Sequence, residues 1–259
     1  SAKGKYVTCH MNPAVKVGQK VTADTILAHD ANFFKNTPTG LVATMGAMVN
    51  VLWKSESLNY EDSIVISESA AKMFMVKAVK RVSIKIDKNT KILSYLSLDD
   101  YTNAETELIS YIKGSDDEML SKFLDNAVLS DLDKKCKTAH KSGVITNINL
   151  TYAFDISTAS NSIKQMVSKV KKDVLELQEE AVLLESTDAF QKREHTDLPQ
   201  EVTAPHKLNG DTIEKDELLI EYFIEYYDFT GRGDKGSQTT ALKGIVAQVR
   251  PDHLMPIGV

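Results

Sequence analysis

Two lysines, Lys235 and Lys243, lie eight positions apart near the end of the sequence, in a segment rich in glycine and hydroxyl residues. Glycine lets a backbone approach a ligand closely, and each lysine ammonium supplies a compact positive charge. These are the groups that bind a triphosphate or the backbone of a nucleic acid. Taken alone, the segment is better explained as a surface loop with two solvated lysines.

A pair of carboxylates far upstream changes that interpretation. Glu61 and Asp62 belong to the stretch Asn-Tyr-Glu-Asp-Ser-Ile-Val-Ile-Ser-Glu at residues 59–68. Neighbouring residues on a strand point to opposite faces, so we expect one carboxylate to approach a metal ion or triphosphate and the other to orient the loop. The alternative is an acid pair in a turn that caps the next segment. Arg232 and Arg250 could extend a phosphate-binding path, although solvated surface arginines are more common.

Other chemistries find little support in the sequence. The six histidines are scattered, without an acid and a nucleophile at recognisable spacing, and there is no P-loop or dinucleotide fingerprint. Cys9 and Cys136 lack metal-ligand spacing and are interpreted as reduced thiols. Tyr222, Tyr226 and Tyr227 could form a stacking platform for bases. A strand core with hydroxyls at its rim explains these tyrosines better.

Composition indicates a globular protein of 259 residues, with 42% hydrophobic and 26% charged residues. No apolar run approaches the ~20 residues that span a bilayer, and the first residues lack the apolar core of a secretory signal. We therefore expect a cytoplasmic protein without membrane contact. The net charge of -5 argues against a free-standing nucleic-acid binder. The net charge is still compatible with a subunit that binds nucleic acid through a local cluster of positive charge.

Hydrophobic alternation predicts strands along much of the chain. The predicted strands are 76–86, 143–150, 218–228 and 244–249, together with 64–66 ahead of a helix that starts near Ser67. Short strands around Gly18 are expected over 14–30, and the apolar segment 41–54 is expected to be buried.

Two further helical segments are expected in the middle of the chain. Residues 103–135 are predicted to be helical, since Leu108, Ile109 and Ile112 share a helical face and Ser115 begins a capping box. Residues 160–185 show heptad spacing, which predicts a coiled-coil-like arm with a cap at its start. That arm could contact a partner, although a solvated helix face is the more common case. Residues 186–216 are polar and predicted to be a loop or linker.

Taken together, the two candidate segments resemble signatures of the β subunit of multisubunit DNA-dependent RNA polymerases. Residues 59–68 are similar to the first signature, and Trp53 is placed as in its lead-in. Gly233-Asp234-Lys235 with Lys243-Gly244 resembles the second signature, in which two lysines flank a glycine-rich loop. Met255-Pro256 follows as in the family. The resemblance is good over roughly 15–75 and 218–256 and faint between them.

The sequence also departs from the family pattern. Residues 238–242, Gln-Thr-Thr-Ala-Leu, replace the family's Gly-Arg-His-Gly-Asn, and Leu58 stands where a glycine is usual. The amino-terminal half of a β subunit is missing, and the chain ends soon after Met255. The resemblance therefore implies a divergent, split or truncated β-like subunit, of the kind encoded by some large bacteriophages. It would then act in the host cytoplasm or the virion.

The resemblance implies a mixed, β-rich fold. Residues 1–76 and 217–259 would form a double-psi β-barrel from the two ends of the chain. Residues 77–216 would form an α/β flap, or wall, that contains the long heptad-like helix.

The same resemblance implies a nucleotidyltransferase that is active only within a multisubunit complex. Lys235 and Lys243, aided by Arg232 and Arg250, would contact the phosphates of the RNA end or the incoming NTP. Either Glu61 or Asp62 would lie near the second Mg²⁺, while a β′-like partner holds the catalytic Mg²⁺. The implied partners are that subunit, other polymerase subunits, the DNA template and the RNA transcript. The alternative is a non-catalytic module of a transcription complex that binds partners through its helical insert.

Overall fold

The computed structural model describes residues 6–7, 11–31, 33–44, 46–54, 61–113, 134–184, 197–238 and 242–257. The chain is β-rich, as expected. The strands are β1 (Tyr6–Val7), β2 (Met11–Pro13), β3 (Ala28–Asp30), β4 (Phe34–Thr37), β5 (Gly40–Ala43), β6 (Ser63–Ser67), β7 (Val76–Asp87), β8 (Lys91–Tyr95), β9 (Tyr101–Thr102), β10 (Glu107–Ile112), β11 (Lys134–Thr138), β12 (Gly143–Tyr152), β13 (Gln200–Glu201), β14 (His206–Leu208), β15 (Asp211–Ile213), β16 (Glu217–Asp228), β17 (Lys235–Ser237) and β18 (Lys243–Arg250). The α-helices within the described ranges are α1 (Glu68–Met73) and α2 (Asn161–Leu184).

The chain divides into two compact units. The first, which we call the core unit, comprises Ser1–His10 and Val79–Tyr226. The second, the motif unit, comprises Met11–Ala78 and Tyr227–Val259, and it contains both candidate segments. No helix within the described ranges is long and apolar enough to span a membrane.

A six-stranded sheet dominates the core unit, with strand order β1-β7-β16-β12-β13 and β9 beside β12. Alternation predicts that β16 is buried on one face only, and this is wrong. Five consecutive residues, Leu218 to Tyr222, are almost completely buried. The strand is therefore covered on both faces, which is why its pattern includes consecutive apolar residues.

Helix α2 packs its apolar stripe into the same core. Ile163, Val170 and Val174 are fully or almost fully buried among the residues of that core. The predicted cap is confirmed, since the Ser160 hydroxyl accepts a hydrogen bond from the Ile163 backbone N–H at 3.4 Å. Burying each such side chain contributes about 1.5–3 kcal/mol. The heptad spacing thus reflects packing within the core up to Val174.

The predicted helix at 103–135 is wrong where the structure describes it. Residues 107–112 form β10, the central strand of a three-stranded sheet with order β11-β10-β8. Leu108 and Ile109 fit one face of a helix, but they also fit a strand buried on both sides, and pairing with two neighbours stabilises the strand. The predicted capping box at Ser115 lies outside the described residues.

The predicted linker at 186–216 contains a hairpin. Strands β14 and β15 pair antiparallel around Asn209-Gly210, both of which have positive φ, 50° and 90°. Asn-Gly favours such a two-residue turn, and this signal was missed. Arg81 of β7 anchors the hairpin by donating from Nη1 to the Asn209 carbonyl (3.1 Å) and from Nη2 to Asp211 (2.7 Å).

The motif unit consists of short strands and turns. Strands β2 and β3 pair, as do β4 and β5, and β6, β17 and β18 form a three-stranded sheet. The predicted strands within 14–27 are absent from the structure, where that segment forms turns and bends that include Gly18 at φ 84°. The prediction that 41–54 is buried is also wrong, because the described residues after β5 form no strand or helix and Trp53 is 75% exposed.

The predicted strand and helix at residues 64–73 are confirmed as β6 and α1. Ser67 caps the helix, since its hydroxyl accepts a hydrogen bond from the Ala70 backbone N–H at 3.1 Å.

Candidate functional site

One small sheet of the motif unit contains both lysines and starts directly after the acid pair. Strand β18 is central, with β6 parallel to it on one side and β17 antiparallel to it on the other. Lys243 begins β18, Lys235 begins β17, and Glu61-Asp62 immediately precede β6. Two segments roughly 180 residues apart therefore meet through backbone hydrogen bonds.

The strand register places both lysines on the same face. Lys235 pairs with Ile245, and Ser237 pairs with Lys243. Directly paired residues share a face, as do residues two apart on one strand. Lys235 and Lys243 are therefore diagonal neighbours on adjacent strands, with Cβ atoms somewhat less than about 7–8 Å apart.

The lysine-bearing face is open to solvent. Both lysines are exposed, and neither ammonium has a hydrogen-bond or ion-pair partner among the described residues. Ile245 lies on the same face and is 54% exposed. Two unneutralised ammonium groups at this spacing can bind one anion between them.

A tight turn positions Lys235. The Asp234 backbone N–H donates to the Gly231 carbonyl (3.1 Å), and the Asp234 carboxylate accepts from the Gly231 N–H (2.8 Å). The Asp234 carbonyl in turn accepts from the Val246 N–H (2.8 Å), which fixes the turn on β18. Gly233 has φ 95°, which favours glycine at this position. Asp234 was noted only as part of the second signature, and its role in the turn was not predicted, although Gly-x-Gly-Asp is a typical turn sequence.

The structure separates the two arginines from each other. Arg232 is exposed on the turn that precedes Lys235. Arg250 lies at the opposite end of β18 from Lys243, about 20 Å away along an extended strand. Its Nε donates to Gln248 Oε1 at 3.0 Å. Only Arg232 is therefore close in sequence and fold to the lysine pair.

The acid pair does not continue the strand. Asp62 has φ 57°, a left-handed conformation that aspartate tolerates better than most residues. The expectation that Glu61 and Asp62 point to opposite faces assumed an extended backbone, and the backbone at Asp62 is not extended. The Asp62 carbonyl accepts a hydrogen bond from the Ile245 N–H at 2.8 Å. Both carboxyl-bearing residues are exposed.

A second contact ties the end of β18 to the helix that follows β6. Asp252 accepts hydrogen bonds from the Ser69 backbone N–H (3.0 Å) and from the Ser69 hydroxyl. Both hydrogen bonds lower the pKa of the Asp252 carboxyl below its usual value, and the bond from the Ser69 hydroxyl has the larger effect. This contact was not predicted from the sequence, since its partners lie 183 positions apart and share no local pattern.

Most of the proposed tyrosine platform is structural. Tyr222 and Tyr226 are buried, and burial raises the pKa of the Tyr222 hydroxyl far above its ordinary value. Tyr227 is 59% exposed. Within the described ranges, no group of three or more histidine, cysteine, aspartate or glutamate side chains is arranged to hold a metal ion.

Positive and negative charges are unevenly divided between the units. The motif unit contains ten lysines and arginines against nine aspartates and glutamates, so the net charge of -5 arises in the core unit. The acidic total therefore does not oppose anion binding at the lysine face. No family model matches the sequence, and no curated protein matches it either.

Proposed function

We propose that this chain is a β-like subunit of a multisubunit DNA-dependent RNA polymerase, and that its motif unit contributes phosphate-binding lysines to the nucleotidyl-transfer site. One observation carries the proposal. Two distant segments, each similar to a signature of that family, meet in a single sheet. An accidental resemblance of two loops would give no reason for them to pair.

Lys235 and Lys243 have the central role in this proposal. Phosphoryl transfer needs positive charge around the phosphates and an aligned attacking hydroxyl. Two exposed ammonium groups on one face, without protein counter-ions among the described residues, suit the phosphates of the RNA end or the incoming NTP. Arg232, on the adjoining turn, could bind the same ligand. Arg250 would have to bind a different phosphate, because it lies at the far end of β18.

The acid pair fits an auxiliary role toward Mg²⁺. Magnesium prefers oxygen ligands and commonly keeps several waters while it contacts one or two carboxylates. Glu61 and Asp62 offer such ligands beside the start of β6. When bound, the ion neutralises charge on the triphosphate. Under this proposal the catalytic Mg²⁺ is held mainly by a β′-like subunit.

The double-psi barrel belongs to the proposal as well. Parallel pairing between β6 and β18, strands from the two ends of the chain, is what such a closed arrangement requires. The motif unit also exposes many large apolar side chains, including Met48, Leu52 and Trp53. Apolar surface of this extent favours an assembled complex with other subunits over a free-standing chain.

Nucleotide addition by the assembled complex tests the function. We expect Lys235→Ala or Lys243→Ala to lower kcat/KM on the order of 10²-fold, because each removes charge from the transition state. The matched control is Lys207→Ala, since Lys207 is also an exposed lysine on a strand, in the core unit. Full elongation activity of the Lys235→Ala, Lys243→Ala double variant would refute the proposal.

The alternative is a non-catalytic module that binds transcription partners. The exposed apolar side chains of the motif unit favour it as much as they favour a catalytic subunit. The helical arm favours it less, because the apolar stripe of α2 is used within the core up to Val174. A complex that lacks any chain with a metal-binding aspartate triad would support this alternative.

A further inference from the structure

Two glycines face each other on the sheet that carries the lysines. Gly236 of β17 pairs with Gly244 of β18. Neither has a positive φ, so neither is required for conformational freedom. Any need for glycine at these positions must come from the atoms nearby.

The surroundings of the two glycines differ sharply. A Cβ atom on Gly244 would lie 2.5 Å from the Asp62 carbonyl oxygen and 2.7 Å from Ile64 Cγ1. Real Cβ atoms essentially never approach other atoms closer than 3.0 Å. A Cβ atom on Gly236 would have Ile64 Cδ1 as its nearest neighbour at 3.5 Å, an ordinary contact. Only Gly244 therefore requires the absence of a side chain.

The close approach at Gly244 occurs where the two candidate segments join. Gly244 follows Lys243, and Asp62 follows Glu61. The Asp62 carbonyl that would collide with a methyl group is also the acceptor for the Ile245 N–H. By contrast, the spacing of the two lysines depends on pairing between β17 and β18, in which β6 takes no part.

We propose that Gly244 is a positioning residue that sets the distance between the Glu61-Asp62 pair and the lysine pair. A methyl group at this position must move the start of β6 away from β18 and leave the lysines in place. The expected effect of this position on catalysis rests on the proposed polymerase function. The expected effect on the pairing of β6 with β18 does not depend on that function.

Gly244→Ala and Gly236→Ala form a matched pair of variants in the full chain. We expect Gly244→Ala to raise the hydrogen-exchange rate of the Ile245 amide at least about tenfold, because its bond to Asp62 is lost. Gly236→Ala should leave that rate unchanged. Equal rates in the two variants would overturn the proposal, whether or not the complex synthesises RNA.

The assembled complex supplies the second readout. We expect Gly244→Ala to lower kcat on the order of 10–100-fold with a nearly unchanged KM for NTP, since small misplacements slow the reaction while the lysines still bind phosphate. Gly236→Ala should match the wild type in both parameters. A rise in KM without loss of kcat would contradict a positioning role. A wild-type complex that makes no RNA would refute the polymerase function, and the exchange experiment would still decide the role of Gly244.

A second substitution shows whether Gly244 is needed because of the Asp62 backbone or because of the Ile64 side chain. Adding Ile64→Ala to Gly244→Ala removes the contact with Cγ1 but leaves the Asp62 carbonyl in place. We expect no rescue of Ile245 protection, and full rescue would show that Gly244 serves only packing. If Gly244→Ala does not fold, Asp62→Val provides the test through strain at φ 57°. It should expose the Ile245 amide, whereas Asp62→Gly should not, and equal protection in these two variants would overturn the proposal.

Discussion

The core unit and the motif unit are stabilised by different means. Of the buried apolar residues within the described ranges, all but Ala71, Ala78 and Val246 belong to the core unit. Of the large apolar residues that the structure describes as exposed, all but four belong to the motif unit; the four are Leu93, Tyr101, Leu175 and Leu198. One unit thus has its own hydrophobic core, while the other depends on backbone pairing, turns and caps.

This contrast shows that the candidate site lies on the unit with the smaller core of its own. Hydrophobic burial is the dominant favourable contribution to folding. A unit that leaves most of its large apolar side chains in water gains little from it. The motif unit should therefore be the less stable of the two when the chain is alone.

The largest effect is expected from a matched pair of isoleucines. Ile220 is fully buried in the core unit, and Ile245 is 54% exposed in the motif unit. Ile220→Ala should lower the free energy of unfolding by about 2–5 kcal/mol, because it leaves a cavity. Ile245→Ala should change it by less than about 0.5 kcal/mol. Urea unfolding followed by circular dichroism measures both, and similar losses in the two variants would contradict the contrast.

A somewhat smaller effect is expected at Arg81, which bonds Glu221 through Nε (2.5 Å) and Asp211 through Nη2. Glu221 is 1% exposed, and its Oε2 has no hydrogen-bond partner among the described residues. Arg81→Leu should cost about 3 kcal/mol, because it leaves a buried carboxylate without its charge partner. Adding Glu221→Leu should recover part of that loss. A double-mutant cycle measures the coupling, and strictly additive losses would show that the pair does not interact.

A spectroscopic effect is expected at Trp53, the single tryptophan of the chain. At 75% exposure in the motif unit, its fluorescence should be quenched by iodide in the isolated chain. Assembly with a partner that covers this surface should lower the quenching constant. If iodide does not quench the Trp53 fluorescence of the isolated chain, the motif unit covers this side chain itself and the contrast is contradicted.

The smallest effect is expected at Asp252. Because hydrogen bonds from Ser69 lower its folded pKa, the carboxylate stabilises the fold above its unfolded pKa. That contribution is lost as the pH falls through the folded pKa. We expect the amide of Ser69 to lose exchange protection in acid, and Asp252→Asn to weaken that pH dependence. An identical acid response in the variant would assign the effect to another group.

Sequence patterns sufficed where one periodicity dominated. The apolar residues at every second position of 218–228, the heptad spacing after Ser160 and the β-branched run at 64–66 each correspond to the predicted element. Segment 107–112 was assigned wrongly because short apolar runs fit a helix and a buried strand equally well. Residues 46–54 were assigned wrongly because apolar character alone does not determine burial.

The residue types of the candidate site could be read from the sequence, but the geometry that brings them together could not. Lysine spacing and the Glu-Asp pair were visible in the sequence. The left-handed conformation of Asp62 and the close approach of Gly244 were not, because both arise from pairing between distant strands. The Asp252–Ser69 contact was hidden for the same reason.

The neighbouring positions of β7 and β16 have a consequence for the order of folding. Arg81 contacts Glu221, and the Lys88 N–H bonds to the Asp216 carbonyl, so the two strands run antiparallel and the Val76 end lies beside the Asp228 end. Without the pairing of β7 and β16, the loop that closes when β6 meets β18 contains roughly 180 residues. With that pairing in place, only the segments between β6 and β7 and between β16 and β18 remain in the loop, roughly 25 residues in total. This lowers the entropic cost of closure by about 2 kcal/mol. Pairing of β7 with β16 before β6 meets β18 is therefore the less costly order of assembly for the lysine-bearing sheet.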